Sequence, residues 1–172
     1  MNKLVAIIMG SDSDLEVMSQ AADTLDEFNI THLVTVVSAH RTPARLFDFA
    51  KSAKTKGFKV IIAGAGGAAH LPGMVASVTS LPVIGVPIKT KSIDGLDSLL
   101  SVAQMPPGVP VATVAVNGAK NAAILAAQII ALGDEGVAYK VEDYKKTLEK
   151  EVLEKAIDLE NVGFKKYLEK KK

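Results

Sequence analysis

Serine and aspartate residues follow the first strand-like segment of the chain, where a helix is predicted to begin. The apolar run LVAIIM (4–9) leads into Gly10, Ser11, Asp12, Ser13 and Asp14. A glycine and two hydroxyls at a helix N-terminus can bind phosphate, because free backbone N–H groups and the positive end of the helix dipole meet there. Asp14 would repel phosphate, so a ribose hydroxyl is its natural partner. Helix capping also explains these residues, since Ser13 and Glu16 have the spacing of a capping box, and both interpretations stay open.

An imidazole and a guanidinium follow the second strand-like segment. The apolar run LVTVV (33–37) is followed by Ser38, Ala39, His40, Arg41, Thr42 and Pro43. Thr42 and Pro43 suit the N-cap and first position of a helix, which predicts that His40 and Arg41 lie on a short turn. Arg41 can pair bidentately with phosphate or carboxylate, and histidine is the side chain whose ordinary pKa lies near neutrality. A histidine in a turn is often only a surface or capping residue, but its place after a strand favours a role in proton transfer.

Glycine and alanine dominate the segment after the third strand-like run, VIIAG (60–64). Residues 64–74 read GAGGAAHLPGM, and backbone without side chains can lie flat against a planar ring and hydrogen-bond its edge. We therefore expect a heterocycle to bind here. Gly64, Gly66 and Ala69 also fit a dinucleotide-binding pattern, but the match is weak because the next strand is not followed by the acidic residue that would bind a ribose.

The elements that must position these segments are strands alternating with helices. Five Val- and Ile-rich runs, at 4–9, 33–37, 60–64, 82–86 and 111–116, are typical of strands buried on both faces, and helical spacing follows the first two. This alternation predicts a three-layer α/β/α sandwich with a flavodoxin-like parallel sheet of about five strands. In such sheets ligands bind beyond the carboxyl ends of the strands, so the three segments should meet at that end of the sheet.

Two later segments have helical patterns that indicate contacts with other subunits. Residues 122–132 (AAILAAQIIAL) are apolar on every face except Gln128, and such a helix needs cover on all sides, which we expect other subunits to supply. Residues 139–170 have a narrow apolar stripe among Lys and Glu. We therefore predict an α/β domain over 1–138 and a C-terminal helical arm over 139–172, packed on its own domain or docked on a neighbouring subunit.

The composition of the chain excludes several kinds of site and partner. The 172 residues carry a net charge of +1 and contain no cysteine, which excludes disulfides and thiolate metal sites and gives no basic surface for nucleic acid. The three histidines lack metal-ligand spacing, so we expect no metal.

The sequence has no apolar run near the roughly 20 residues of a membrane helix and its N-terminus has no secretory pattern, so a cytoplasmic protein without membrane contact is expected.

Six segments closely resemble the class I PurE family. They are MGSDSD, VVSAHRTP, AGAGGAAHLPGM, LPVIGVPI, GLDSLLSVAQMP and GVPVATVAV, which occur in the family's order and nearly its spacing over residues 4 to about 132. The resemblance implies that the substrate phosphate binds Ser11, Ser13 and Arg41 and that the ribose binds Asp14. It places the imidazole ring and its carboxylate among Ser38, Ala39, His40, Gly66, Ala68, His70 and Leu71. One departure is the loop at 116–121, which is about two residues shorter than is common in the family.

The resemblance also implies a reaction, a homo-octamer and no cofactor. PurE enzymes move a carboxyl group from the exocyclic nitrogen of N5-carboxyaminoimidazole ribonucleotide to ring carbon C4, without ATP, biotin or metal. One proton is added and one removed, and His40 is our candidate for both transfers. The GGAAHLPGM segment resembles the mutase version rather than the related direct carboxylases. Two alternatives are kept: a direct aminoimidazole ribonucleotide carboxylase, and a noncatalytic flavodoxin-like nucleotide-binding module.

Overall fold

The protein contains one parallel sheet whose strands match the buried runs of the sequence. The computed structural model describes residues 4–170. The strands are β1 (Val5–Met9), β2 (His32–Val36), β3 (Val60–Gly66), β4 (Val83–Ile88) and β5 (Ala112–Thr113). They are ordered β2-β1-β3-β4-β5, with every pairing parallel, which confirms the flavodoxin-like prediction.

Strand register brings three strand ends to the same level. Met9, the last residue of β1, lies opposite Val36 of β2 on one side and Gly64 of β3 on the other. The chain passes from β1 to β2 at one side and then crosses to β3 at the other, so the strand order reverses next to β1. A crevice forms at such a reversal because the connections leave the sheet in opposite directions.

Helices cover both faces of the sheet. Their bounds are α1 (Leu15–Glu27), α2 (Pro43–Ser52), α3 (Leu71–Ala76), α4 (Leu96–Ala103), α5 (Ala119–Ala131), α6 (Glu135–Val162) and α7 (Phe164–Lys170). One core lies between the sheet and α1, α5 and the start of α6. The second core lies between the opposite face and α2, α3 and α4. The three-layer prediction is therefore confirmed.

The fifth strand is shorter than the predicted run 111–116. It pairs with β4 only at Ala112 and Thr113. The backbone of Pro87 in β4 faces β5, because its carbonyl accepts a hydrogen bond from the Asn117 N–H. A proline has no N–H, so the pairing of the two strands cannot continue there. Asn117 then turns the chain away with a φ of 57°.

Helix α5 is covered on one side by its own chain, which corrects the expectation that other subunits supply all its cover. Ala122, Ala126 and Ile130 lie in the core shared with α1 and α6. The exposed remainder includes Leu132 directly after the helix, which is 90% exposed.

Helix α6 begins four residues before the predicted arm. Val137 and Val141 are buried in the core, and Tyr144 packs edge-on against Phe28 with ring centroids 5.5 Å apart. Beyond this point the helix carries exposed apolar side chains, among them Val152 and Ile157. The boundary between the two predicted regions stays a prediction. Within residues 4–170, no helix is both long and apolar enough to cross a membrane.

Candidate active site

A cavity of about 370 Å³ opens at the carboxyl ends of β1, β2 and β3. All the residues that the sequence predicted for the site lie on its wall. The lining residues are Gly10, Ser11, Ser13, Asp14, Ser38, Ala39, His40, Arg41, Ala65, Gly66, Ala68, His70 and Leu71. The structure therefore brings the predicted set together in one place, while the role of each residue stays a prediction. Gly10 and Ala65 also line the cavity; both lie in the candidate segments of the sequence, although neither was assigned a contact with the substrate.

The first part of the wall is a short 3₁₀ turn between β1 and α1. The turn spans Asp12–Asp14, and the Ser11 hydroxyl caps it by accepting the Ser13 N–H. The N-cap residue of α1 is Asp14, so Ser13 and Glu16 do not form the capping box that was one of the two interpretations left open. The inserted turn moves the helix start by one residue and leaves Ser11 and Ser13 on the cavity wall, where their hydroxyls donate to Asp12 and Asp14.

Arg41 lies across the end of β1. Its Nη2 donates to the Gly10 carbonyl at 3.0 Å, and its Nε donates to the Ser38 hydroxyl at 3.3 Å. Ser38 is buried, and Thr42 holds its backbone by accepting from Ser38 N–H and donating to the Ser38 carbonyl. Thr42 is the N-cap residue of α2 and Pro43 follows it at the helix start, as predicted. These contacts fix a guanidinium beside the serine turn, where it can meet an anion.

Asp14 is a buried carboxyl at the same end of the cavity, with 8% of its surface exposed. Burial raises its pKa above the ordinary value of 3.8, and it outweighs the lowering effects of hydrogen bonds from Ser11 and Ser13 and of the Arg41 charge. Taking a carboxylate out of water favours its neutral form. The fold therefore holds this carboxyl where its charged form is disfavoured, and such perturbed groups are common at functional sites.

His40 and His70 meet over the end of β1. His40 Nε2 and His70 Nδ1 are 2.7 Å apart, and the two rings are nearly perpendicular at 89°. A hydrogen bond between two imidazole nitrogens requires one to carry the proton and the other to accept it. The pair therefore holds a single proton between its two facing atoms. Such an arrangement can deliver a proton to a substrate atom and take one back.

The remaining wall is backbone with little side-chain cover. Gly66 and Ala68 are exposed to the cavity, and Gly67 between them has a φ of 69°, which glycine adopts without strain. Leu71 closes the base of the wall and is 2% exposed. This surface can contact a flat ring closely.

A second cavity of about 500 Å³ adjoins the first along Ser11, Ser38 and Arg41 and extends to Arg45. Sequence reasoning missed Arg45, although it lies one helical turn after Arg41. Its guanidinium donates to the Val36 carbonyl and the Thr35 hydroxyl. No three His, Cys, Asp or Glu side chains within 4–170 are grouped as metal ligands.

Comparisons with known proteins find close relatives along nearly the whole chain. The family model described as AIR carboxylase matches residues 4–151. N5-carboxyaminoimidazole ribonucleotide mutase of Thermotoga maritima is 64% identical over 167 residues, covering 97% of this chain and 98% of that protein. Phosphoribosylaminoimidazole carboxylase of Saccharomyces cerevisiae is 58% identical over 98% of this chain but over only 29% of that longer protein. The crystal structure of Treponema denticola PurE2-S38D aligns with a TM-score of 0.85 and 31% identity, covering 92% of this chain and 99% of that one.

The raised pKa of Asp14 predicts that Asp14→Asn stabilises the fold at neutral pH. The variant removes a buried charge, so we expect a higher Tm than wild type at pH 7. Because the folded wild type holds its proton more tightly than the unfolded chain, the advantage should shrink as pH falls through the folded pKa of Asp14 towards 3.8. Thermal unfolding at several pH values and one protein concentration measures this.

The exposed Asp12→Asn provides the matched control and should change Tm less. We also expect Asp14→Asn to bind a ribonucleotide about 10-fold more weakly, because it loses a charge-assisted hydrogen bond. A lower Tm than wild type at pH 7 would contradict this account of Asp14.

Proposed function

The chain belongs to the AIR carboxylase family, and from this premise we propose that it is the mutase of purine biosynthesis that rearranges N5-carboxyaminoimidazole ribonucleotide. The observation that carries the proposal is the 64% identity to a mutase of nearly the same length. Relatives with mutase names are enzymes, so the chain is an enzyme rather than a noncatalytic binding module. The product is 4-carboxy-5-aminoimidazole ribonucleotide.

The nucleotide binds with its anionic end on the serine turn. Ser11, Ser13 and Arg41 supply two hydroxyls and a guanidinium for the phosphate, and Asp14 accepts from a ribose hydroxyl. The ring then extends toward the histidine pair and lies against Gly66 and Ala68, with Ser38, Ala39 and Leu71 completing the pocket. The cavity geometry supports this order, because all these residues line one continuous space.

His40 acts as the proton shuttle. It protonates the carbamate nitrogen, the bond from that nitrogen to the carboxyl carbon breaks, and carbon dioxide is released beside the electron-rich ring. Carbon C4 attacks the carbon dioxide, and His40 removes the C4 proton, which restores the aromatic ring. His40 ends the cycle in the protonation state in which it began. The contact with His70 supports this role because a hydrogen bond to the His70 Nδ1 orients the His40 ring.

The released carbon dioxide must stay close to C4 until it reacts. His40, Gly66, Ala68 and His70 are all exposed in a single chain, so one chain does not enclose the reacting end of the cavity. We propose that neighbouring subunits of a homo-octamer cover it. Exposed apolar side chains along α6 and α7, such as Leu153, Ile157 and Phe164, offer the arm a surface for docking on a neighbour. We place the enzyme in the cytoplasm, where its phosphorylated substrate is retained.

A direct carboxylase is the second candidate function, favoured by the 58% identity to the yeast carboxylase. A label in the carboxyl group separates the two. With ¹³C in the carbamate and excess unlabelled bicarbonate, we expect the purified chain to form product that keeps most of the ¹³C, measured by mass spectrometry. Product that takes its carbon from bicarbonate would support the carboxylase instead.

His40→Asn tests the proton shuttle. The variant keeps a polar side chain but cannot transfer protons near neutral pH, so we expect kcat to fall by about 10³-fold or more, with aminoimidazole ribonucleotide binding retained in calorimetry. His32→Asn is the control, because His32 begins β2, at the end of the strand remote from the cavity, and contacts the Ile30 carbonyl. If His40→Asn kept most of the wild-type rate, the shuttle assignment would be wrong.

The octamer is tested by light scattering coupled to gel filtration. We expect a species eight times the 18.1 kDa chain at micromolar concentration. The double variant Leu153→Glu/Ile157→Glu charges the exposed stripe of α6 and should lower the mass if the arm docks on a neighbour, whereas Lys155→Glu on the same helix should not. A well-folded wild-type monomer would overturn the proposal.

A further inference from the structure

Ser98 is a fully buried polar residue that lies outside the cavity wall. It is in the first turn of α4 and is 0% exposed. Its hydroxyl donates to the Ile88 carbonyl at 2.6 Å and accepts the Gly67 N–H at 2.8 Å. One side chain thus joins the end of β4 to the segment between β3 and α3. A buried hydroxyl with a donor and an acceptor partner is satisfied, and removing it leaves both partners unpaired.

The segment that Ser98 contacts carries His70. We define the β3–α3 loop as residues 67–70. Its only buried side chain is the Ala69 methyl, so packing contributes little to its position. Hydrogen bonds contribute more: Ser98 accepts the Gly67 N–H, and the Gly67 carbonyl accepts from Ala69 N–H at 2.8 Å and from the Ser101 hydroxyl at 3.4 Å. Both backbone polar groups of Gly67, the first residue of the loop, are therefore held by α4.

The start of α4 is itself anchored. The Asp97 carboxylate accepts hydrogen bonds from the hydroxyls of Thr90 and Ser92 and from Ser98 N–H, at 2.9 to 3.2 Å. Desolvation raises the pKa of Asp97, but these hydrogen bonds together lower it by more, so the pKa lies below the ordinary value. Asp97 thus stays charged near neutrality and fixes the turn from which Ser98 reaches the loop.

We propose that Ser98 is a positioning residue for the reaction: through Gly67 it holds the β3–α3 loop, and with it His70, at the distance from which His70 can hydrogen-bond His40. This inference rests on the proposed function, because it assigns a role in turnover. The loop also supplies Ala68 to the wall facing the ring. Displacement of the loop would loosen both the histidine contact and the ring pocket, while Ser11, Ser13 and Arg41, which follow other strands, would keep their positions.

Replacing Ser98 by alanine tests the proposal through a separation of kcat from KM. We expect Ser98→Ala to lower kcat by about 10- to 100-fold, the loss that a displacement near 1 Å can cause. We expect KM to stay within roughly threefold, because the phosphate contacts are retained. Ser98→Cys puts a somewhat larger thiol, a weak donor and acceptor, in place of the hydroxyl, so its kcat should be intermediate. Ser101→Ala removes the longer contact to Gly67 and should lower kcat less.

A second readout needs no substrate. Amide hydrogen exchange of peptides spanning 64–70 should be faster in Ser98→Ala than in wild type, because local opening becomes easier. Thr24→Val is the matched control: it removes another buried hydroxyl, which donates to the Gln20 carbonyl within α1, and should change neither exchange in 64–70 nor kcat.

The two measurements keep failure of this inference apart from failure of the proposed function. A wild-type chain without mutase turnover would refute the proposed function and the assigned role in turnover, while exchange would still decide whether Ser98 holds the loop. Unchanged exchange with kcat within twofold of wild type in Ser98→Ala would overturn the positioning role. If Ser98→Ala does not fold, Ser98→Cys and Ser101→Ala decide the matter by the same two measurements.

Discussion

The hydrogen bond between His40 and His70 is the contact on which the proposed chemistry of the site depends. Its two rings come from loops that follow β2 and β3, and β1 lies between those strands. The two loops can meet only if β1 ends before it reaches them, and β1 does end at Met9. The Gly10 N–H donates to the Gly64 carbonyl and so continues the pairing of β1 with β3 to this level. The strand order thus brings together two side chains that are thirty residues apart in the sequence.

Charge is distributed along the cavity in a way that matches the proposed substrate. Arg41 and the serine turn offer positive charge and donors at one end, and the histidine pair offers a movable proton at the other. Asp14 lies beside Arg41 but is buried at a cost that its hydrogen bonds do not fully offset. If Asp14 binds the ribose as proposed, stability and binding oppose each other at this residue, as is common at functional sites.

Much of this arrangement was predictable, because continuous apolar runs indicate buried strands and parallel sheets bind ligands at their carboxyl ends. The strand order, the layers and the grouping of His40, Arg41 and His70 follow from that logic. Local contacts were less predictable. The N-cap of α1 is Asp14 rather than Ser13 because a 3₁₀ turn precedes the helix, and β5 is short because Pro87 lacks an N–H where the ladder would continue. Ser98 lies in one of the segments that resemble the family, but nothing in the sequence indicated its contacts, since its partners are backbone groups brought near only by the fold.

A crystal structure with aminoimidazole ribonucleotide bound tests the central claim most directly. The account predicts the phosphate against Ser11, Ser13 and Arg41, and ring carbon C4 within about 3.5 Å of a His40 nitrogen. A nucleotide bound with its ring away from the two histidines, or with His40 turned into solvent, would contradict it.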